Sequence, residues 1–314
     1  MKALKILGVV CGAVMLLALA GTAAVWAPDR SPEDLAPRWA GPPSQFALVD
    51  GMKVHFRDEG PRDDPQPIIL LHGTSASLHT WDGWATALRE KHRVIRVDLP
   101  GFGLTGPTPA GNYQMAVYSH FVASLMDTLK VQRAVLVGNS LGGYVAWKTA
   151  ADYPDRVSKL ILIDAAGYAT TAASVPIGFK LAQIPMLSGL MSNILPRRVV
   201  ESSLRNVYGD PSKITPELVD RYYELALRAG NRKSLAARFA QNKPGEFESQ
   251  IPQIKQPTLI LWGGLDRLIP PDNAQKFHRD IAKSSLVMFD TLGHVGHEED
   301  PATTVSAAQS FLER

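Results

Sequence analysis

The sequence predicts an α/β fold built on a mostly parallel sheet, and three observations carry that expectation. Short apolar runs near residues 68, 94, 134, 160, 258 and 285 are separated by helix-like stretches, the alternation that parallel strands joined by crossover helices require. One junction is a sharp strand-to-helix turn. Ala134-Val135-Leu136-Val137 leads into Gly138-Asn139-Ser140-Leu141-Gly142, and a helix-like stretch starts at Gly143. An acid and a histidine then follow on later strand ends, Asp266 after Thr258-Leu259-Ile260-Leu261-Trp262-Gly263 and His294 after Ser285-Leu286-Val287-Met288-Phe289.

The N-terminus is different in kind from the rest. Met1-Lys2-Ala3-Leu4-Lys5 is basic, and Ile6 to Ala27 carries no charge, enough helix to cross a bilayer core. Residues 1–27 are therefore expected to be a signal-anchor or a signal peptide. In the first case the lysines stay inside and the folded domain lies outside the cytoplasm. In the second, cleavage follows Ala18-Leu19-Ala20. The apolar run continues past that point, which favours the anchor and a cell-envelope location. The only cysteine, Cys11, sits in this segment, so the remainder of the chain has no possible disulfide. Val9-Val10 precede it, which argues against lipidation.

Residues 28–44 hold several prolines and read as a linker. Phe46 to Arg57 reads as a hairpin turning at Asp50-Gly51, with His55 on the strand surface. The strand Ile68-Ile69-Leu70-Leu71 runs into His72-Gly73-Thr74, and Val94-Ile95-Arg96-Val97 into Asp98-Leu99-Pro100-Gly101. Lys159 to Ile163 is the strand after the Ser140 helix, and it ends at Asp164. The stretch from there to Thr258 is far too long for a loop. It contains helical patterns, among them one capped by Thr215 with Pro216 at its first position. Its earlier part is apolar and broken, as in Ile177-Gly178-Phe179 and Ile184-Pro185-Met186-Leu187.

Composition bounds the function. At 314 residues the chain can hold one large domain or two small ones, and 45% apolar with 20% charged residues is ordinary for a globular protein. A formal charge of +3 gives nucleic-acid binding no electrostatic support.

Together these motifs resemble those of α/β-hydrolase-fold serine hydrolases, in which the nucleophile, the acid and the histidine follow in this order. His72 to Trp81 is most similar to small bacterial lipases and esterases. The resemblance spans roughly residues 45 to 314 and implies an eight-stranded, mostly parallel sheet flanked by helices. The core would comprise 45–167 and 251–314, with 168–250 a helical cap over the active site. It implies Ser140 as nucleophile, His294 as general base and Asp266 as its orienting acid. The backbone N–H groups of Thr74 and Leu141 would form the oxyanion hole. No metal or organic cofactor is then needed.

Rivals exist for two of these roles. His297 lies close to His294, but the family's histidine follows a glycine, as His294 follows Gly293. Asp164 occupies a place where some members carry the acid, and Asp290 reads as a turn former. His72 and Asp98 read as scaffold. The expected reaction is hydrolysis of a small-molecule carboxylic ester with an apolar acyl chain. Hydrolysis of a carbon–carbon bond in dienoic ketones and a non-catalytic binding role on the same fold are the alternatives.

Overall fold

The computed structural model describes residues 25–184 and 193–313. The chain enters through helix α1 (Pro32–Trp39) and the hairpin β1 (Ser44–Val49) and β2 (Met52–Glu59). The hairpin turns at Asp50 and Gly51, both at positive φ. An Asp-Gly pair takes that geometry readily, and it matches the twist of the flanking strands. The parallel part follows as β3 (Ile68–Leu71), helix α2 (Asp82–Leu88), β4 (Val94–Val97), α3 (Met115–Thr128), β5 (Ala134–Asn139), α4 (Leu141–Asp152) and β6 (Val157–Ile163).

Between β6 and β7 lie α5 (Ile177–Ala182), α6 (Arg197–Val207), α7 (Pro216–Ala226) and α8 (Asn231–Gln241), hereafter the cap. Thr215 caps α7, its Oγ1 accepting from the Leu218 N–H, with Pro216 in the first turn. The chain closes with β7 (Thr258–Gly263), α9 (Asp272–Asp280), β8 (Ser284–Phe289), the short α10 (Gly296–Glu299) and α11 (Pro301–Leu312).

All eight strands form one sheet in the order β1-β2-β4-β3-β5-β6-β7-β8. Pairing is antiparallel at β1–β2 and β2–β4 and parallel elsewhere. Strands β3, β4, β5 and β7 are buried along their whole length. That is why they read as mostly apolar runs with little alternation, broken in β4 only by Arg96, which pairs with Glu59 and Asp82: helices cover both faces. On one face Phe121, Trp147 and Phe277 pack from α3, α4 and α9, and on the other Trp84, Val305 and Phe311 pack from α2 and α11. From β3 the chain steps one way to β4 and later the other way to β5. This reversal opens a crevice at the carboxyl ends of β3 and β5, where open α/β sheets bind ligands.

Two segments differ from what the sequence suggests. Residues 28–44, expected as a linker, include α1, which is docked. Ser31 and Asp34 form a reciprocal capping box, and Leu35 is buried against Leu104 and Leu225. His55, expected on the strand surface, is fully buried: Asp98 and Ser44 bond its two ring nitrogens and Phe46 stacks on it. Among the described residues no helix is long and apolar enough to cross a membrane. The expected span Ile6–Ala27 lies outside the described residues except for its last three.

Candidate active site

Ser140 stands between β5 and α4 with φ 54° and ψ −114°, a strained backbone for a side-chain-bearing residue. The close packing that holds it there demands glycine on either side. A Cβ on Gly138 would meet the Gly142 carbonyl oxygen at 2.1 Å, and one on Gly142 would meet that of Leu71 at 2.0 Å. The Ser140 N–H donates to Ile163 O at 3.1 Å, and its carbonyl accepts from Tyr144 and Ala166 at 3.0 Å each. The serine is thereby fixed at the mouth of the β3/β5 crevice, with Leu141 opening the helix behind it.

The turn after β3 closes against it. A Cβ on Gly73 would meet Asn139 Oδ1 at 2.9 Å and Ser140 Cβ at 3.3 Å, so the Gly73-Thr74 backbone lies directly beside the serine. His72 supports this turn. Its Nδ1–H donates to Gly73 O at 2.7 Å, and its Nε2 accepts from the Leu99 N–H at 3.0 Å. One neutral tautomer satisfies both bonds, and burial holds the His72 pKa below the ordinary imidazole value. His72 is scaffold. So is Asp98, which receives His55 Nδ1 at 2.7 Å and the Leu78 and Leu104 N–H groups at 2.7 and 2.8 Å. Burial opposes its charge, but His55 and its neighbours outweigh burial and hold the carboxyl below the usual range.

Asp266 and His294 meet as the sequence suggests. His294 Nδ1 donates to Asp266 Oδ2 at 2.7 Å with both side chains buried, leaving Nε2 free to accept a proton. The other Asp266 oxygen accepts from the Leu268 and Ile269 N–H groups at 2.8 and 3.0 Å, which fixes the carboxylate's aim. Asn139 Nδ2 donates to His294 O at 2.8 Å and ties the histidine loop to the serine turn.

The rivals fall into supporting places. Asp164 Oδ1 accepts from the Gly263 N–H at 2.8 Å, while its Oδ2 is buried without a partner. Burial first, and then the nearby Asp266 carboxylate, push the Asp164 carboxyl well above the usual carboxylate range. Asp290 lies in the turn that passes over Gly264. His297 is buried against Trp81, ring centroids 4.1 Å apart, and neither of its nitrogens has a partner. Burial and neighbouring His294 hold its pKa well below the ordinary value.

Above the serine is a cavity of about 170 Å³. Gly73, Thr74, Ser140 and His294 line its floor, and Phe179, Leu181, Val199, Val200, Leu204 and Leu235 line its cap side. The cap is tied to the histidine loop by polar contacts that no local sequence pattern marks. The His294 N–H donates to Val207 O at 2.7 Å. Glu299 accepts from Gly293, Gly209 and Asp210 N–H groups at 3.0, 2.9 and 2.7 Å. Glu298 pairs with Arg221 and accepts from Tyr222 Oη at 2.7 Å.

The family model described as alpha/beta hydrolase fold matches residues 66–301. Among curated proteins, the chain is 28% identical over 278 residues to a 2-hydroxy-6-oxo-2,4-heptadienoate hydrolase of Pseudomonas putida, covering 85% of this chain and 95% of that protein. Two solved structures are also similar. One is a meta-cleavage product hydrolase from Pseudomonas fluorescens, with TM-score 0.74 and 25% identity, covering 86% of this chain and 97% of the other. The other is a bacterial membrane phospholipase A, with TM-score 0.75 and 26% identity, covering 97% of both chains.

Proposed function

The chain belongs to the α/β-hydrolase family, and on that premise we propose that it is a serine esterase cleaving carboxylic esters with an apolar acyl chain. Ser140 Oγ attacks the ester carbonyl carbon as His294 Nε2 takes its proton, and Asp266 stabilises the imidazolium. The carbonyl oxygen becomes an oxyanion held by the N–H groups of Thr74 and Leu141. The carbon–oxygen bond then breaks, and the leaving alkoxide takes the proton from His294. Water, deprotonated by His294, attacks the acyl-enzyme and releases the acid.

One observation carries the choice of substrate. The cap side of the cavity is mostly apolar, lined by Phe179, Leu181, Val199, Val200, Leu204 and Leu235. An acyl chain suits such a wall. The likeness to a membrane phospholipase A extends over more of this chain than the likeness to the meta-cleavage hydrolase, 97% against 86%. Together with the uncharged stretch Ile6–Ala27, that supports membrane anchoring in the cell envelope.

A second reading has its own support. The P. putida relative is a dienoate hydrolase and the P. fluorescens structure a meta-cleavage product hydrolase, which favours carbon–carbon bond hydrolysis by the same residues. Rates on p-nitrophenyl esters of graded chain length and on 2-hydroxy-6-oxo-2,4-heptadienoate, for wild type and Ser140→Ala, separate the two. The ester reading expects Ser140-dependent turnover that is faster on esters. Faster turnover of the dienoate overturns it, and a folded protein without Ser140-dependent turnover of either leaves a binding role.

A further inference from the structure

Helix α8 brings two arginines toward the site, and they differ in what balances their charge. Arg232 lines the cavity and donates Nη2 to Asp29 Oδ1 at 2.6 Å. Arg238, further along the same helix, has no carboxylate partner among the described residues. Its Nη2 donates to Thr74 Oγ1 at 3.1 Å, and its guanidinium lies over the Phe239 ring, 4.8 Å from the centroid. Its Nε is buried with no partner among the described residues. A guanidinium withdrawn from water without a counter-charge is costly, so its position needs a reason.

The residue it touches supplies one. Thr74 follows Gly73, whose backbone lies against Ser140, and precedes Ser75 at φ 59°, in the left-handed region. Such a strained turn keeps its amide aimed only while its surroundings hold it. His72 supports it from the sheet side, and Arg238 holds it from the cap.

We propose that Arg238 is a positioning residue of the oxyanion site, fixing Thr74 so that its N–H faces the developing oxyanion and placing a positive charge behind that turn. This rests on the serine-hydrolase reading above. The counter-charge that Arg238 lacks in the resting enzyme is then the oxyanion itself, present only during the reaction. Electrostatic groups set in advance toward such a charge favour the transition state over the bound substrate. Because Arg238 belongs to the cap, the oxyanion site is complete only when the cap is seated.

The test uses the full-length enzyme as wild type, R238M, T74V and the double variant, each checked for folding by thermal melting. T74V keeps the amide and removes only the oxygen that Arg238 holds. Steady-state kinetics on a p-nitrophenyl ester and the inhibition constant of an alkylboronic acid, which forms a tetrahedral adduct on the serine, are measured for each. Each single variant is expected to lose about tenfold or more in kcat, with KM changing by less than about twofold. The double is expected to fall no further than the worse single. Boronate inhibition should weaken in step with the loss in kcat/KM. A folded R238M with wild-type kcat, a loss confined to KM, or additive losses in the double each overturn the proposal. Should R238M not fold, T74V, which leaves the arginine in place, decides by the same criteria. Undiminished turnover by Ser140→Ala would instead overturn the serine-hydrolase reading itself.

Discussion

The sheet and the cap are held together by different forces. The strands beneath the site are apolar along their length and sandwiched by Trp84, Trp147, Phe277 and their neighbours, so their cohesion is area removed from water. The cap helices bury little. Leu204 is the buried residue of α6, and Val219 and Leu225 are those of α7. Arg197 with Asp220 ties α6 to α7, and charged contacts seat the pair: Arg38 with Asp220 and Glu224, Arg221 with Glu298, and Glu299 with three backbone amides. Apolar burial is non-directional and weakens gradually, whereas these contacts have fixed partners and are lost one at a time. The sheet thus coheres by burial, and the cap is held by specific polar contacts around a small apolar cluster at Leu204, Val219 and Val295.

The largest expected effect lies at the sheet end. Asp266→Asn leaves the fold intact and lowers kcat by about 10⁴-fold, because the amide no longer fixes the required imidazole tautomer. Kinetics on a p-nitrophenyl ester measure it, and near-wild-type turnover would show that Asp164 supplies the acid.

Next come two substitutions that set the regions against each other. Trp84→Ala removes a fully buried ring whose Nε1 donates to Thr304 Oγ1, and should cost about 3–5 kcal/mol of global stability by denaturant unfolding. Arg221→Met strands Glu298 as a buried, unpaired charge, a cost also of about 3–5 kcal/mol, but one the cap can relieve by lifting. Limited proteolysis should therefore cut between residues 193 and 245 in Arg221→Met while the sheet's unfolding transition moves less than in Trp84→Ala. Equal shifts of that transition would mean that cap and sheet unfold as one body.

The smallest effect concerns Asp164. Its folded-state pKa is raised, so between the ordinary carboxylate value and that raised value the native state holds a proton that the unfolded chain has released. Native stability is therefore lost as pH rises through this window. Asp164→Asn, which mimics the neutral acid, should remove that slope, so its stability relative to wild type grows as pH rises above the ordinary carboxylate value. A difference that stays constant with pH would show that Asp164 is ionised in the folded protein.

How legible each region is in the sequence follows the same division. The strands, the serine turn and the Asp266–His294 pair leave local marks: mostly apolar runs, paired glycines and a Gly-His step. Those marks exist because tight packing permits few residues there. The docking of α1 is marked too, by Ser31-Pro32-Glu33-Asp34, although the prolines around it suggest a linker. His55 escapes because its cover, Phe46 and Ser44 from β1 and Asp98 beyond β4, comes from other strands and loops. Helix α8 escapes because its inward face is Asn231, Ser234 and Arg238, polar groups whose partners lie on distant loops at Gly103, Tyr113 and Thr74. The contacts of Glu298 and Glu299 with the cap escape too, because Arg221, Tyr222, Gly209 and Asp210 lie far away in the sequence.

The entry of the chain has a mechanical consequence. Ala27 N–H donates to Asn193 O, Leu195 N–H to Val25 O, Arg30 N–H to Leu227 O and Ala229 N–H to Arg30 O. Asp29 adds Gly230 and Arg232. Residues 25 to 30 are thus sewn to the cap strand by strand before the chain reaches the hairpin. Tension arriving from the N-terminal side travels first into the roof of the site, leaving the foundation that carries the serine out of the load path.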